Sequence, residues 1–576
     1  MRRFARGLLA VLASLFCLVP GATALDFCSA STNRAWAWDD ADGSFVATGS
    51  LPSTPSVTPS GGNCAAQLSN RVWTFRRQTG AWTQSPQQTG LTGVVGSDGN
   101  FAAQVGSEVW VWNQADASWL ASPTLSVVVD VFGSGGNFAV QLADRIWTWN
   151  RTTGVWTSSP LLSGLTGVVA SGGNFAGVLG TRVWAWDRLD SSWVESPSIS
   201  PVQQMTGSAG SFGARNATQL WTWSWITGAW STSGAVGTIS DLAASAGNFA
   251  VMAGSTVVAW RGESDSFHAS PTISGGGALL GSGGNFATAT SSRVWTWNAE
   301  TSGWSESPQI SGLLEVQGSE GNYGARSGSN AWAWNRASSS WTDSGSLSGL
   351  TTLLSGGGNF AGVTSNRVYT WRPAAPSWAQ SAQLNTLVGV FASEGNFAAQ
   401  LGNRVWAFAG ADGSWNDSGQ ITGLSGVVAS GGNFAAVASN RVYAWNQADS
   451  GWHQSSQLST FEGAVVGADG NFAASVSNRI YAFSRGDASW SQSAQISGLG
   501  LVQGSPFPLC APGACGAGAC DVCNPELGCV VAPLPECTEP TPVPSIMPAG
   551  AAALATLLGL LGLGVRRRAE FAAQDR

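Results

Sequence analysis

An all-β array of the β-propeller type is what this sequence predicts. Three observations carry the prediction: a unit of about 37 residues repeated thirteen times, turn-forming residues at fixed places in every unit, and strands that alternate large with small side chains. Asn433 has counterparts at Asn63, Asn100, Asn137, Asn174, Asn248, Asn285, Asn322, Asn359 and Asn396; each step is 37 residues, Ser211 stands in once, and only the last step, to Asn471, reaches 38. Composition agrees with a packed repeat. Glycine (75) and tryptophan (31) are abundant, 10% of residues are charged, and lysine is absent, so the exposed surface is neutral and polar and disorder is excluded. A net charge of -7, with arginines spread at the repeat spacing and no basic tract before the far C-terminus, leaves no footprint for nucleic acid.

Residues 1–24 open with Arg2, Arg3 and Arg6, continue through an apolar run and end in Ala22-Thr23-Ala24. That is the layout of a secretory signal peptide, with cleavage expected after Ala24. The cysteines beyond it then lie in an oxidising compartment, where disulfides are their expected state.

The array fills residues 25–505. In one well-preserved unit the first strand is expected at Gly426–Ser430, the second at Asn433–Val437, the third at Arg441–Trp445 and the fourth at Trp452–Ser455. Gly-Gly, Asp-Gly and Ser-Asn pairs separate them, because tight hairpins need positive φ angles. In the third strand the aromatics at the first and third places, such as Trp147 and Trp149, share one face. Between them stands a small or aliphatic residue: Ala37, Thr148, Ala185, Ala444. A four-stranded sheet with one bulky and one small face packs against copies of itself on both sides, which describes a propeller blade. A β-solenoid is the alternative, disfavoured because its coils are shorter and do not fall into four hairpin-linked strands.

The order of residues in Ile421–Trp445 and Leu165–Trp186 resembles the regulator-of-chromosome-condensation repeat. The Trp-x-Trp pair followed by a lone Trp is similar to tectonin and tachylectin repeats. Both resemblances imply propellers. The unit departs from the first family in lacking its Gly-Gln-Leu-Gly loop. Tachylectin-type relatives bind glycans and the other family mostly binds proteins, so the resemblance implies binding rather than catalysis.

Thirteen units exceed the four to eight blades usual in one ring, which favours two rings. The least regular units are adjacent, with Ser211 for Asn, Gln219 for Arg, and Val258 and Phe267 for Trp, placing the expected junction near residue 241 and the rings at 25–241 and 242–505. The array also starts on a second strand (Asp26–Ala30) and ends on a first strand (Leu499–Ser505), a phase that fits either one closed ring or swapped closure within each half.

Recurring polar residues read as scaffold. The arginines that start third strands, such as Arg71, Arg182, Arg293 and Arg441, are expected to lie over a neighbouring Trp or carbonyl. The serine closing each unit, from Ser85 to Ser493, has no recurring His or Asp partner and reads as a ladder serine. Asp98, Glu320, Glu394 and Asp469 sit singly in hairpin turns, without the dense oxygen spacing of a calcium loop. The two histidines, His268 and His453, fall in no metal-ligand or general-base motif. No catalytic residue, metal ligand or cofactor site is expected. Cys28 and Cys64, one residue off register in adjacent second strands, are candidates for a disulfide that pins the first blade.

Residues 506–537 carry Cys510, Cys515, Cys520, Cys523, Cys529 and Cys537 with too little apolar material for a core, so a disulfide-stapled segment is expected. A Pro-rich spacer (538–545) follows, then a 20-residue uncharged run at Ile546–Val565 long enough to span a bilayer, then Arg566, Arg567 and Arg568 within the segment 546–568, and a short tail, 569–576. The layout around Val543 and Pro544, apolar span and arginine cluster resembles C-terminal exosortase-type sorting signals of Gram-negative bacteria. It implies a membrane-held array facing outward and an exosortase-type processing enzyme as a partner. The functional expectation is a non-catalytic, surface-anchored protein that binds a glycan or protein through loops such as Asn446–Gly451. A structural surface or matrix protein without a ligand is the alternative, and an exported polysaccharide-acting enzyme a more distant one.

Overall fold

The structure, a computed structural model, describes residues 27–504 except 40–42, 163, 459–464 and 501, together with the backbone of 521–524 and 528–531. The signal peptide with Ala24, the apolar run 546–568 with Val543, Pro544 and the Arg566–Arg568 cluster, and Cys510, Cys515, Cys520 and Cys537 lie outside the described residues. Of the Cys-rich segment, Asp521–Asn524 and Gly528–Val531 pair as a hairpin with Cys523 opposite Cys529 in register. Among the described residues no helix is long and apolar enough to cross a membrane.

The array consists of thirteen four-stranded antiparallel sheets. In the unit that served as the pattern the strands are Leu424–Ser430, Asn433–Ala438, Arg441–Asn446 and Gly451–Gln454, each within two residues of the sequence expectation. We number the sheets as blades in chain order. Blade 1 is composite: its second, third and fourth strands are Phe27–Ser31, Arg34–Asp39 and Ser44–Ala47, and its first strand is Val502–Gly504 from the other end of the array. Phe27 pairs with Gly504, Cys28 with Gln503 and Ser29 with Val502.

This closure makes one ring of thirteen blades and corrects the two-ring expectation. No break occurs near residue 241. Leu220 of blade 6 shares a continuous core with Ile239, Leu242, Phe249 and Trp260 of blade 7. At the seam Ala473, Ile480 and Ala482 of blade 13 pack in the same way against Phe27 and Trp38 of blade 1. The irregular units are poorer in consensus residues but not in contact.

The interfaces follow one rule: the small face of each blade receives the aromatic face of the next. Ala102, Val109 and Val111 of blade 3 enclose Phe138, Val140 and Trp149 of blade 4, and within the bulky face each second-strand Phe lies on a third-strand aromatic, as Phe175 does on Trp186 at 5.7 Å between centroids. A closed ring must taper. With sheets about 10 Å apart at mid-blade and strands about 4.8 Å apart, thirteen blades bring inner strands to roughly 6–7 Å and leave outer strands roughly 13 Å apart. The residues match this gradient. Inner turns of neighbouring blades touch backbone to backbone: a Cβ on Gly61, which also holds φ +45, would come within 2.2 Å of the nitrogen of Gly99. At the outer edge tryptophans span the gap, Trp82 donating its indole N–H to the carbonyl of Val46 at 3.1 Å and Trp490 to that of His453 at 3.1 Å.

A disulfide joins Cys28 of blade 1 to Cys64 of blade 2, with 6.3 Å between Cα atoms and both residues fully buried. Cys28 sits on the small face of blade 1 beside Ala35 and Ala37, and Cys64 takes the Phe position of blade 2. Successive residues of a strand point to opposite faces, so the one-residue offset is what aims the two sulfurs at each other.

Candidate binding face

The first-to-second turn and the third-to-fourth loop of each blade lie at the same end, which we term the loop face. The recurring Asn ties them together. Asn137 accepts through Oδ1 from the backbone N–H of Arg151 in its own loop at 2.8 Å, and donates through Nδ2 to the carbonyl of Gly173 in the next blade at 2.8 Å. The same Gly173 donates its N–H to Oγ of Ser134, which ends the first strand, at 3.0 Å. Thus each inner turn is gripped twice by the blade before it, and the arrangement recurs from Asn63 with Gly99 to Asn433 with Gly470. The recurring Asn is therefore scaffold. Ser211 keeps one of the two side-chain bonds, accepting from Trp225 N–H at 3.4 Å, but is too short to reach Gly247.

The other recurring polar groups are also absorbed. Ser85 accepts from the N–H of Val72 at 3.0 Å and donates to the carbonyl of Pro86 at 2.8 Å, and its counterparts repeat this ladder extension. Arginines at third-strand starts reach the carbonyl of that serine, Arg441 to Ser455 at 3.1 Å and Arg293 to Ser307 at 3.2 Å, with Glu306 completing an ion pair to Arg293 at 3.2 Å. His268 contacts Oγ of Ser266 at 2.8 Å and rests by Trp297; burial, and then Arg261, lower its pKa. His453 contacts Asp449 at 2.9 Å beside Phe483. Among the described residues no three His, Cys, Asp or Glu side chains are grouped to hold a metal ion.

What the repeat does not fix is the identity of the side chain whose backbone N–H each Asn holds, although Gln114 and Gln447 each accept a hydrogen bond from the recurring Asn of a neighbouring blade. This position carries Arg77, Gln114, Arg151, Arg188, Trp225, Gly262, Ala299, Arg336, Gly410, Gln447 and Arg485 around the ring, and the turns beneath add Asp98, Glu320, Glu394 and Asp469. The sequence expectation treats the acids as isolated; folding pairs two of them with this row. Asp98 forms an ion pair with Arg151, and Asp469 with Arg485 at 3.3 Å. Glu394 keeps an exposed edge, but crowding by adjoining turns raises its pKa; Arg485 opposes the rise while Asp469 and Glu320 add to it. Across blades 4–6 the same row brings together Arg151, Arg188 and Trp225. The Arg188 guanidinium lies 5.6 Å from the Trp225 ring centre, and its pKa is lowered first by burial and then by Arg151, with Asp187 and Asp98 partly offsetting. Sequence reading passes over this trio, although Trp225 in Ser224-Trp225-Ile226 already breaks the loop pattern.

No family model and no curated protein matches the chain. Among solved structures it is similar to the extracellular domain of BT4673 from B. thetaiotaomicron (9% identity, 82% of this chain and 78% of that one, TM-score 0.19). It is also similar to the tricorn protease (8% identity, 85% of this chain and 63% of that one, TM-score 0.24) and to apo AztD from Citrobacter koseri (12% identity, 50% of this chain and 95% of that one, TM-score 0.25).

Proposed function

We propose that the protein is an exported, non-catalytic binding module, held at the cell envelope by its C-terminal segment, that recognises a glycan or protein partner with the loop face of its ring. The observation that carries this reading is the division of labour within the repeat. Asn, Ser and Arg at fixed positions are spent on ladder and inter-blade hydrogen bonds, whereas the loop-face row is free to vary and differs from blade to blade. A rigid scaffold with variable loops is the arrangement in which recognition evolves most readily. The resemblance to tectonin and regulator-of-chromosome-condensation repeats supports binding, and the order of Pro544, the apolar run and Arg566–Arg568 supports envelope retention by an exosortase-type route. The test is a glycan array and a pull-down from cell envelopes with the purified protein. Specific capture in either supports the reading; silence in both overturns it in favour of a purely structural surface protein, and turnover of a glycan overturns it in favour of an enzyme.

A further inference from the structure

The thirteen-fold repetition makes exceptions visible, and three of them are neighbours on the loop face. On the loop face of blades 4–6 stand three exposed aliphatic residues, Val155 (52% exposed), Leu189 (58%) and Ile226 (38%). The places equivalent to Leu189 and Ile226 hold Gln78, Ala115, Thr152, Glu300, Ala337 and Ala448 in other blades. Two consecutive loops, and the start of the fourth strand in the blade before them, thus expose apolar carbon where the repeat elsewhere keeps polar or small residues.

In the same loops one arginine, Arg188, forms no ion pair among the described residues, although Asp187 and Asp98 partly offset its charge. Arg336 and Arg485, in the equivalent row, face Glu300 at 4.0 Å and Asp469 at 3.3 Å. Arg151 has Asp98. Arg188 is half-buried, laid over Gly173 and stacked on Trp225, and among the described residues its guanidinium meets a ring but no hydrogen-bond acceptor. Five N–H donors drawn partly out of water beside a second arginine are costly unless an anion completes them, and a planar guanidinium takes a carboxylate or sulfate through two parallel bonds. Trp225 and the aliphatic rim suit the C–H faces of a sugar ring. The sector spans three loops, small for a protein interface, which needs about 800 Å² from each partner.

We infer that the loop face of blades 4–6 binds an acidic glycan, its carboxylate or sulfate group seated on Arg188 beside Arg151 and a sugar ring laid against Val155, Leu189, Trp225 and Ile226. The inference deepens the binding reading and rests on it.

Calorimetry on the purified protein tests it with four probes: a galacturonate hexamer, its methyl ester, a sulfated cello-oligosaccharide and poly-glutamate of matched charge. The expected result is binding of the galacturonate or sulfated oligomer, at least tenfold weaker for the uncharged ester and weakening as salt rises. Arg188→Gln and Trp225→Ala are each expected to lose tenfold or more while Arg336→Gln binds as the unaltered protein does. The two acidic oligomers separate carboxylate from sulfate. Equal affinity for acid and ester, or unaltered affinity in Arg188→Gln and Trp225→Ala with the melting temperature retained, overturns the inference; tighter binding of poly-glutamate overturns it in favour of an acidic protein. If Arg188→Gln fails to fold, Trp225→Ala alone decides. Binding of neutral glycans only removes this assignment and leaves the binding module standing, whereas no binding to any glycan or envelope fraction removes both.

Discussion

The side-chain amide of Asn137 and the carbonyl of Gly173, 36 residues apart in sequence and in successive blades, meet at 2.8 Å, and the opposite end of the same amide holds the N–H of Arg151. Replacing Asn137 by Ala leaves a buried carbonyl and an N–H without partners, so Asn137→Ala should cost roughly 2–4 kcal/mol. Conversely, Ser211→Asn supplies the missing bond to Gly247 and should add about 1 kcal/mol. Denaturant unfolding of the two variants against the parent checks both signs.

Gln88 is the second irregularity of the scaffold. The twelve equivalent connector positions hold Leu, Ile or Val, such as Leu51, Leu125, Ile199 and Ile496. Gln88 is 2% exposed and neither Oε1 nor Nε2 has a hydrogen-bond partner. Gln88→Leu is expected to raise stability by about 1–3 kcal/mol, read as a higher melting temperature. An unchanged or lower value would mean that the amide is satisfied by bound water.

Leu120 marks a similar opportunity. At its place in two other blades a serine accepts from the buried Trp of the next blade, Ser491 from Trp38 at 3.2 Å and Ser305 from Trp334 at 3.1 Å. Leu120 is 41% exposed and leaves the indole N–H of Trp149 buried and unpaired. Leu120→Ser should therefore stabilise by about 1 kcal/mol despite removing an apolar side chain. A double variant with Trp149→Phe, which has no N–H, should lose that gain.

The Cys28–Cys64 bond closes a 36-residue separation. Chain-entropy arguments give it roughly 4 kcal/mol. Reduction, or Cys28→Ser with Cys64→Ser, should lower the melting temperature without opening the ring, because the seam at Phe27 and Gly504 is held by a separate strand pair. Retained circular dichroism at low temperature would check this.

Much of the fold was legible in the sequence because the constraints are local and repeated. Turn residues, the alternation around Trp147 and Trp149, and the 37-residue period fix a four-stranded blade. The number of rings was not legible, since Ser211 and Val258 read as a break whereas the interface around Leu220 and Phe249 is decided by packing between units. The role of Asn137 was equally hidden, because its partner lies in the next copy. Of the candidate site, Trp225 stood out only as a departure from pattern. Its neighbour Arg188 looked like any other arginine until the ring set them 5.6 Å apart.

The composite first blade also fixes an order of events. Val502–Gly504 is the last strand of the array to be made and Phe27–Ser31 the first, so the ring cannot close until nearly all of the array has left the ribosome, roughly half a minute to two minutes at ordinary elongation rates. Throughout that interval the strand beginning at Phe27 presents an unpaired edge, open to the wrong partner from a second chain. Cys28 and Cys64 both belong to the first two blades, so once oxidised their bond holds that opening pair together independently of the closing strand. A staple set at the beginning preserves the template that the end of the chain must find.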